Sequence, residues 1–329
     1  MADVSAEAGV SAQTVSRALS QPDLVTPETR ARVEQAVRKT GYVRNLAASH
    51  LASNRSHTVA AIVPTIASSV FSDTLRAVGD RLAPEGYQMF VGNTDYREGR
   101  EEELVGHFIQ RRPDGFVMVG TSHTRETRRL LEAYGRPVVE TWDWDDAPTD
   151  LLVGFSNRRA LASMVEHLVA RGHRRLAFAG VLRPGDERAI RRFEGFRDAV
   201  ADLLPDEPLR VVDLPDLPVA MDTGVELLRA TLQRYPEITA LVFPTDVFAT
   251  AALLAAPGLG IDVPGRLAIT GFGDFDLASH VHPGLTTVAI DVDRMGTTAA
   301  DLLLARMREQ QVGETAVDVG YRIEVRDSA

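Results

Sequence analysis

The sequence contains no cysteine. That excludes disulfides and every zinc or iron–sulfur site built on thiolates. Lysine is nearly missing as well: Lys39 stands alone among 36 basic residues, and no Walker-type phosphate loop is present. No run approaches the roughly 20 apolar residues that a membrane span needs. The N-terminus opens acidic and amphipathic instead of charged-then-apolar, so it does not read as a secretion signal, and a cytoplasmic protein is expected. What is present is ordinary for a globular chain. The 329 residues are 44% hydrophobic and 25% charged, enough for two or three domains with sizeable cores. A net charge of −10 argues at first sight against nucleic acid. Its distribution argues the other way: residues 1–57 carry seven basic against five acidic side chains, a charge of +2, leaving −12 for the rest. A mildly basic end on an acidic body suits a protein that presents one end to phosphate.

The most informative stretch is Ala8-Gly9-Val10-Ser11-Ala12-Gln13-Thr14-Val15-Ser16-Arg17-Ala18-Leu19. Gly9 falls where a helix C-cap needs a left-handed residue, which a Cβ would penalise. Val10 plugs the turn, and Ser11 can accept from the orphan N–H groups of a second helix. On that helix Val15, Ala18 and Leu19 share one face, while Gln13, Thr14, Ser16 and Arg17 occupy the others. The pattern is a helix-turn-helix with a polar recognition face. Thr26-Pro27-Glu28 opens a third helix with a cap, a proline at its first position and an early acid. Its stripe is Val33, Ala36 and Val37, and Gly41 ends it.

Three stretches, AGVSAQTVSRAL, VTPETRARVEQAVRKTGYVRN and LAASHLASNRSHTVAAIVP, together closely resemble the headpiece and hinge of the lactose-repressor (LacI/GalR) family of bacterial transcription regulators. The resemblance continues along essentially the whole chain. It implies a headpiece over residues 1–44, a hinge or linker over 45–57 and an effector-binding, dimerising core over 58–329. Residues 45–53 are small and helix-compatible but too few to be helical alone, and by themselves they read as a linker. The resemblance implies that they form a helix on DNA, paired with a dimer mate in the minor groove. Leu51 would then wedge a base step, with Asn45 and Ala48 close to the groove, at a cost of a few kcal/mol per step. The family pattern carries several residues, including a threonine cap, ahead of the position of Ala2. Here helix 1 starts almost at Met1, which implies a different start codon or weaker DNA binding.

From Thr58 the pattern becomes alternating strands and helices. Strands are expected over Thr58–Val63, Tyr87–Gly92, Gly115–Val119 and Pro137–Glu140, with helices over Val70–Glu85, Arg97–Gln110 and Glu126–Tyr134. A second run has strands near Leu151–Phe155, Arg175–Ala179, Leu209–Asp213, Ala240–Phe243 and Leu267–Gly271. Its helices lie near Asn157–Arg171, Arg188–Ala201, Thr223–Tyr235 and Val247–Ala255. Such alternation implies parallel sheets with helices on both faces. The fold class is therefore α/β: an all-α headpiece followed by two doubly wound subdomains of periplasmic-binding-protein type. The family boundaries put the first at about 58–155 and 290–318 and the second at about 156–288 and 320–329. The helix at Arg294–Glu309 would return to the first, and Arg322–Val325 would finish in the second.

Enzymatic motifs are weak. Gly271-Phe272-Gly273-Asp274 lacks the third glycine of a dinucleotide fingerprint. His280 and His282 fit a solvated loop better than a metal pair, and no nucleophile elbow is present. No enzyme, cofactor or metal is expected. A ligand site is better supported, because ligands in open α/β folds lie at the carboxyl ends of strands. Arg192-Phe193-Glu194-Gly195-Phe196 matches the family's Arg-x-x-Gly-Phe, in which the arginine forks onto a pair of ligand oxygens such as a carboxylate or vicinal diol. Asp246 and Asp274 follow strands. The family's usual Gly-Phe/Tyr-Asp-Asp is here Gly271-Phe272-Gly273-Asp274, so an acid is lost and the site shifts toward an anionic ligand. Phe71, His123, Trp142, Asp143, Phe155 and Asn157 are further candidates, each with a structural alternative: packed aromatic, loop acid or, for Asn157, helix cap.

Pro64…Phe71, Gly86-Tyr87-Gln88, Ser122-His123-Thr124, Pro137-Val138-Val139-Glu140 and Val153-Gly154-Phe155-Ser156-Asn157 resemble the gluconate-repressor branch, which implies a sugar-acid effector. The expected protein is a homodimeric repressor on double-stranded operator DNA, with no membrane partner. Gln13, Thr14, Ser16 and Arg17 would read base edges or phosphates, at about 1–3 kcal/mol per bidentate base contact. Ala12 is small at the first exposed recognition position, so a relative's operator does not carry over. A stand-alone sugar-binding protein and a corepressor-dependent regulator of the purine type are the alternatives.

Overall fold

A computed structural model describes residues 1–42 and 55–329. The chain divides into two units, Met1–Ser56 and His57–Ala329.

The first unit is built from α1 (Ala2–Ala8), α2 (Ala12–Ser20) and α3 (Pro27–Thr40). Gly9 ends α1 in the left-handed conformation at φ 63°, and Gly41 does the same for α3. Ser11 Oγ accepts from the Thr14 N–H at 3.1 Å, and Thr26 Oγ1 accepts from the Thr29 N–H at 3.4 Å. These caps fix where each helix starts, and burial fixes how they pack. Val4, Ala8, Val15, Ala18, Val33 and Ala36 form a small core, in which each fully buried valine contributes about 1.5–3 kcal/mol. Lys39 Nζ lies 2.7 Å from Glu7 Oε1 in an exposed α3–α1 ion pair.

The second unit holds two six-stranded sheets among the described residues. The first contains β1 (Thr58–Val63), β2 (Gln88–Asn93), β3 (Gly115–Val119), β4 (Val138–Thr141), β5 (Leu151–Gly154) and β11 (Ala316–Asp318), in the order β11-β5-β4-β3-β1-β2. All its pairings are parallel. The second contains β6 (Leu176–Gly180), β7 (Val211–Asp213), β8 (Ala240–Val242), β9 (Ala268–Gly273), β10 (Thr286–Ala289) and β12 (Arg322–Glu324), in the order β12-β10-β9-β8-β6-β7. It is parallel except where β12 runs antiparallel to β10. The helices are α4 (Ser69–Leu82), α5 (Glu98–Gln110), α6 (Arg125–Tyr134), α7 (Asn157–Ala170), α8 (Glu187–Leu203), α9 (Met221–Arg234), α10 (Asp246–Ala255) and α11 (Val292–Met307).

The architecture is the expected α/β one, with corrections in detail. The strand at 151, grouped above with the second run, does not open the second sheet: it pairs with β4 and β11 and extends the first, as the family boundary near residue 155 implies. The sequence pattern shows neither β10 nor β11: β10 follows β9 with no α-helix between them and β11 is followed directly by β12, so neither fits the strand–helix alternation. α11 returns to the first sheet and packs on α4. A Cβ on Gly296 would come within 2.7 Å of the Thr74 carbonyl, so glycine permits that approach. Gly195 plays the same part between α8 and α7, where a Cβ would collide with the Arg158 carbonyl. The glycine of the Arg-x-x-Gly-Phe stretch is thus explained by helix packing alone.

Candidate functional site

In the first unit, α2 turns Val15 and Ala18 inward and leaves Gln13, Ser16 and Arg17 exposed. Thr14 is half-buried, its hydroxyl 2.9 Å from that of Ser11. The face is polar, carries donors and acceptors, and is held at its first turn by the Ser11 cap. Asn45, Ala48 and Leu51 lie outside the described residues.

In the second unit, the strand ends of both sheets frame a cavity of about 300 Å³. Phe71 on α4 and Trp142 after β4 form one wall. They meet edge to face at 5.2 Å, and Trp142 meets Phe155 the same way at 6.0 Å. Trp142 takes a left-handed φ of 67°, a conformation that costs a bulky residue about 1–3 kcal/mol. Its indole N–H donates to Thr74 Oγ1 at 3.1 Å, which holds the ring against that strain. The opposite wall comes from α8 and the ends of β8 and β9: Asp186, Arg188, Arg192, Pro244, Phe272 and Phe275. Arg192 lies 3.7 Å above the Phe272 ring, with Nε donating to Asn157 Oδ1 at 2.8 Å and Nη1 to the Pro244 carbonyl at 2.7 Å. Burial, aided by the nearby Arg188 charge, lowers this guanidinium to about 10. Tyr96, also at the wall, is pushed up to about 12 by burial and by Asp186.

Of the residues singled out in the sequence, the structure brings Phe71, Trp142 and Arg192 to the cavity. Asp143 faces instead a neighbouring hollow of about 40 Å³, where Arg191 Nη1 lies 2.8 Å from its Oδ2. The others do not line the cavity. Phe155 is fully buried behind the wall, stacked on Phe272 at 6.1 Å. Ser156, not Asn157, caps α7. The Asn157 amide donates to the Trp142 carbonyl at 2.9 Å and to Asp143 at 3.1 Å while its oxygen accepts from Arg192. Asp246 turns into the sheet, accepting from Thr287 Oγ1 at 2.7 Å and from the Phe275 N–H at 2.8 Å, and burial lifts it to about 6. Asp274 pairs with Arg326 at 2.6 Å. His123 is clamped between Glu101 at 2.7 Å and Glu140 at 3.2 Å. Burial opposes its protonated form, but the two carboxylates outweigh burial and raise the ring to about 9.

Arg188, Asp186 and Tyr96 were not singled out in the sequence. For Arg188 a signal was available: it stands four residues before Arg192, one turn along the same helix face.

Residues 1–45 match the family model described as bacterial regulatory proteins, lacI family, and residues 165–329 match a periplasmic binding protein-like domain. The HTH-type transcriptional regulator GntR of Pseudomonas aeruginosa is 36% identical over 99% of this chain and 94% of its own length. The chain belongs to the LacI family. A LacI-family regulator from Silicibacter pomeroyi superposes with a TM-score of 0.92 at 35% identity, covering 99% of this chain and 98% of that one. The transcription regulator GntR of Chromobacterium violaceum gives 0.77 at 37% identity, covering 82% and 98%. As a LacI-family member the protein is a DNA-binding transcriptional regulator and not an enzyme. Among the described residues no helix is long and apolar enough to cross a membrane.

Proposed function

We propose that this LacI-family regulator is a homodimeric repressor in the cytoplasm that leaves its operator when a sugar acid of the gluconate class enters the cleft. The observation that carries the reading is the charge of the cavity wall. Two guanidiniums, Arg188 and Arg192, face it against one carboxylate, Asp186, over aromatic surfaces that suit the apolar face of a small polyol. An anion of single charge balances that wall. Gln13, Thr14, Ser16 and Arg17 are the operator-reading residues in this scheme, with Asn45, Ala48 and Leu51 at the minor groove. Effector binding and operator binding are then linked by one coupling free energy.

The test is a gel shift of the full chain on its own upstream DNA, with and without gluconate, other sugar acids and neutral sugars. Retardation that sugar acids reverse is expected, and Leu51→Ala should weaken specific binding. Retardation strengthened by ligand would make it a corepressor system. No retardation at low salt would refute the operator reading.

A further inference from the structure

Three arginines follow one another on the first turns of α8, and their hydrogen bonds differ in a way that assigns them different tasks. Arg191 is spent across the cleft, donating to the Trp144 carbonyl at 2.9 Å and pairing with Asp143 at 2.8 Å. Arg192 is spent on Asn157 and the Pro244 carbonyl and lies flat on Phe272. Arg188 is different. Its side chain is only 7% exposed, yet its nearest acidic partner, Asp186 Oδ1, is 3.7 Å from Nη2. That is an ion-pair distance, too long for a hydrogen bond. No hydrogen bond of its five N–H donors exists among the described residues. Its guanidinium carbon stands 5.4 Å from the Phe71 ring centroid, and it lines both the large cavity and the small hollow beside it. Tyr96 shares both walls, and its hydroxyl likewise has no hydrogen-bond partner among the described residues.

The Arg188 guanidinium lines open space without a hydrogen bond among the described residues, so an acceptor placed there by a ligand gains a charge-assisted contact that none of them already holds. Asp186 does not fill that role: its carboxylate caps α8, accepting from the Ala189 N–H at 3.4 Å. Arg188 lines both the cavity and the hollow beside it, which puts its guanidinium within reach of a ligand there.

We infer that Arg188, and not the Arg192 of the family pattern, binds the carboxylate of the effector, with Tyr96 beside it, while Arg192 is a positioning residue that holds Asn157 and the β8 end. This rests on the reading of the cleft as the effector site and adds which side chain reads the ligand's charge. The carboxylate lies toward the Tyr96 and Gly120 end, where Arg188 Nη1 is 3.4 Å from the place a Gly120 Cβ would occupy. The polyol chain extends from there along Phe71 and Phe272.

Calorimetric titration of the full chain with D-gluconate and D-glucitol, which carries CH₂OH in place of the carboxylate, tests the assignment. Wild type should prefer gluconate by about 100-fold, the range of a charge-assisted forked contact. Arg188→Met should bring the ratio to within about threefold while glucitol binding persists, and Arg188→Lys should restore part of it. Arg192→Lys should weaken both ligands together and leave the ratio standing. If Arg188→Met loses its cooperative melting transition, the ratio is read from Arg188→Gln and Arg188→Lys. A ratio that survives at Arg188 and collapses at Arg192 overturns the inference while the cleft remains the effector site. If wild type ignores gluconate, glucuronate and glucose 6-phosphate are titrated beside glucose. An Arg188-dependent preference for either anion sustains the inference and discards only the gluconate class. No preference for any anion overturns it, and operator release by neutral sugars then judges the repressor reading separately.

Discussion

His123 offers a stability measurement whose sign and size follow from its surroundings. Its ring is 1% exposed between Glu101 on α5 and Glu140 on β4, and Glu140 also accepts from the Thr149 hydroxyl at 2.6 Å. The folded chain holds the imidazolium proton up to about 9, against 6.5 when unperturbed. A raised value means the fold binds the proton more tightly than the unfolded chain. The stabilisation is therefore complete below pH 6.5 and disappears as pH rises through 9. At roughly 1.4 kcal/mol per tenfold difference in proton affinity, the loss is about 3 kcal/mol. His167 and His173 are shifted the other way by burial, so their contribution falls only as the solution is acidified below 6.5. The loss at His123 and the losses at His167 and His173 therefore fall on opposite sides of pH 6.5. Urea unfolding followed by tryptophan fluorescence measures it in the core alone, because the sequence has two tryptophans, Trp142 and Trp144, and both lie in that unit. His123→Gln leaves Glu140 buried opposite Glu101 with one neutral partner. The variant should be less stable by about 3–5 kcal/mol at pH 6, with most of the gap closed at pH 9.5. A wild-type curve flat from 6.5 to 9, or a slope that persists in His123→Gln, would refute the reasoning.

Other expectations follow from single side chains. Asp246, held near 6 by burial, makes the fold less stable as pH rises from about 4 to 6. Asp246→Asn should therefore raise stability at pH 8 by about 1–3 kcal/mol and remove that slope in urea titrations. Arg192→Met should lower core stability by about 2–4 kcal/mol, because Asn157 Oδ1 and the Pro244 carbonyl lose their donor; unchanged unfolding would contradict its positioning role. Arg17→Ala and Gln13→Ala should each weaken operator binding by about 1–3 kcal/mol in a gel shift, with the arginine change also flattening the salt dependence if it contacts phosphate.

The headpiece was legible because its signals are local. Ser11, Thr26, Gly9 and Gly41 act on backbone groups within four residues of themselves, so reading them needed no tertiary information. The β/α alternation was legible for the same reason, save at β10 and β11, where strand follows strand without an intervening α-helix. The cleft was legible only to the level of strand ends. A cavity does lie at the ends of β8 and β9, but that rule cannot say whether Asp246 and Asp274 face the cavity or the sheet. Their direction is set by Thr287 and Arg326, which are distant in sequence. His123 failed similarly: the two glutamates that claim it come from α5 and β4. Arg188 stands one turn before Arg192 and was within reach of the sequence, but its lack of a hydrogen-bonded partner among the described residues is a tertiary fact that no sequence pattern encodes.

The exposed contact of Lys39 with Glu7 has a practical side. It is the chain's one ε-amine, and it belongs to the unit that carries the helix proposed to read the operator. Amine-reactive dyes or sensor matrices would attach at that end and leave the core, with its proposed effector cleft, untouched. Tethered this way, the protein would report small molecules faithfully and DNA poorly, whereas a chip bearing the operator keeps both equilibria intact.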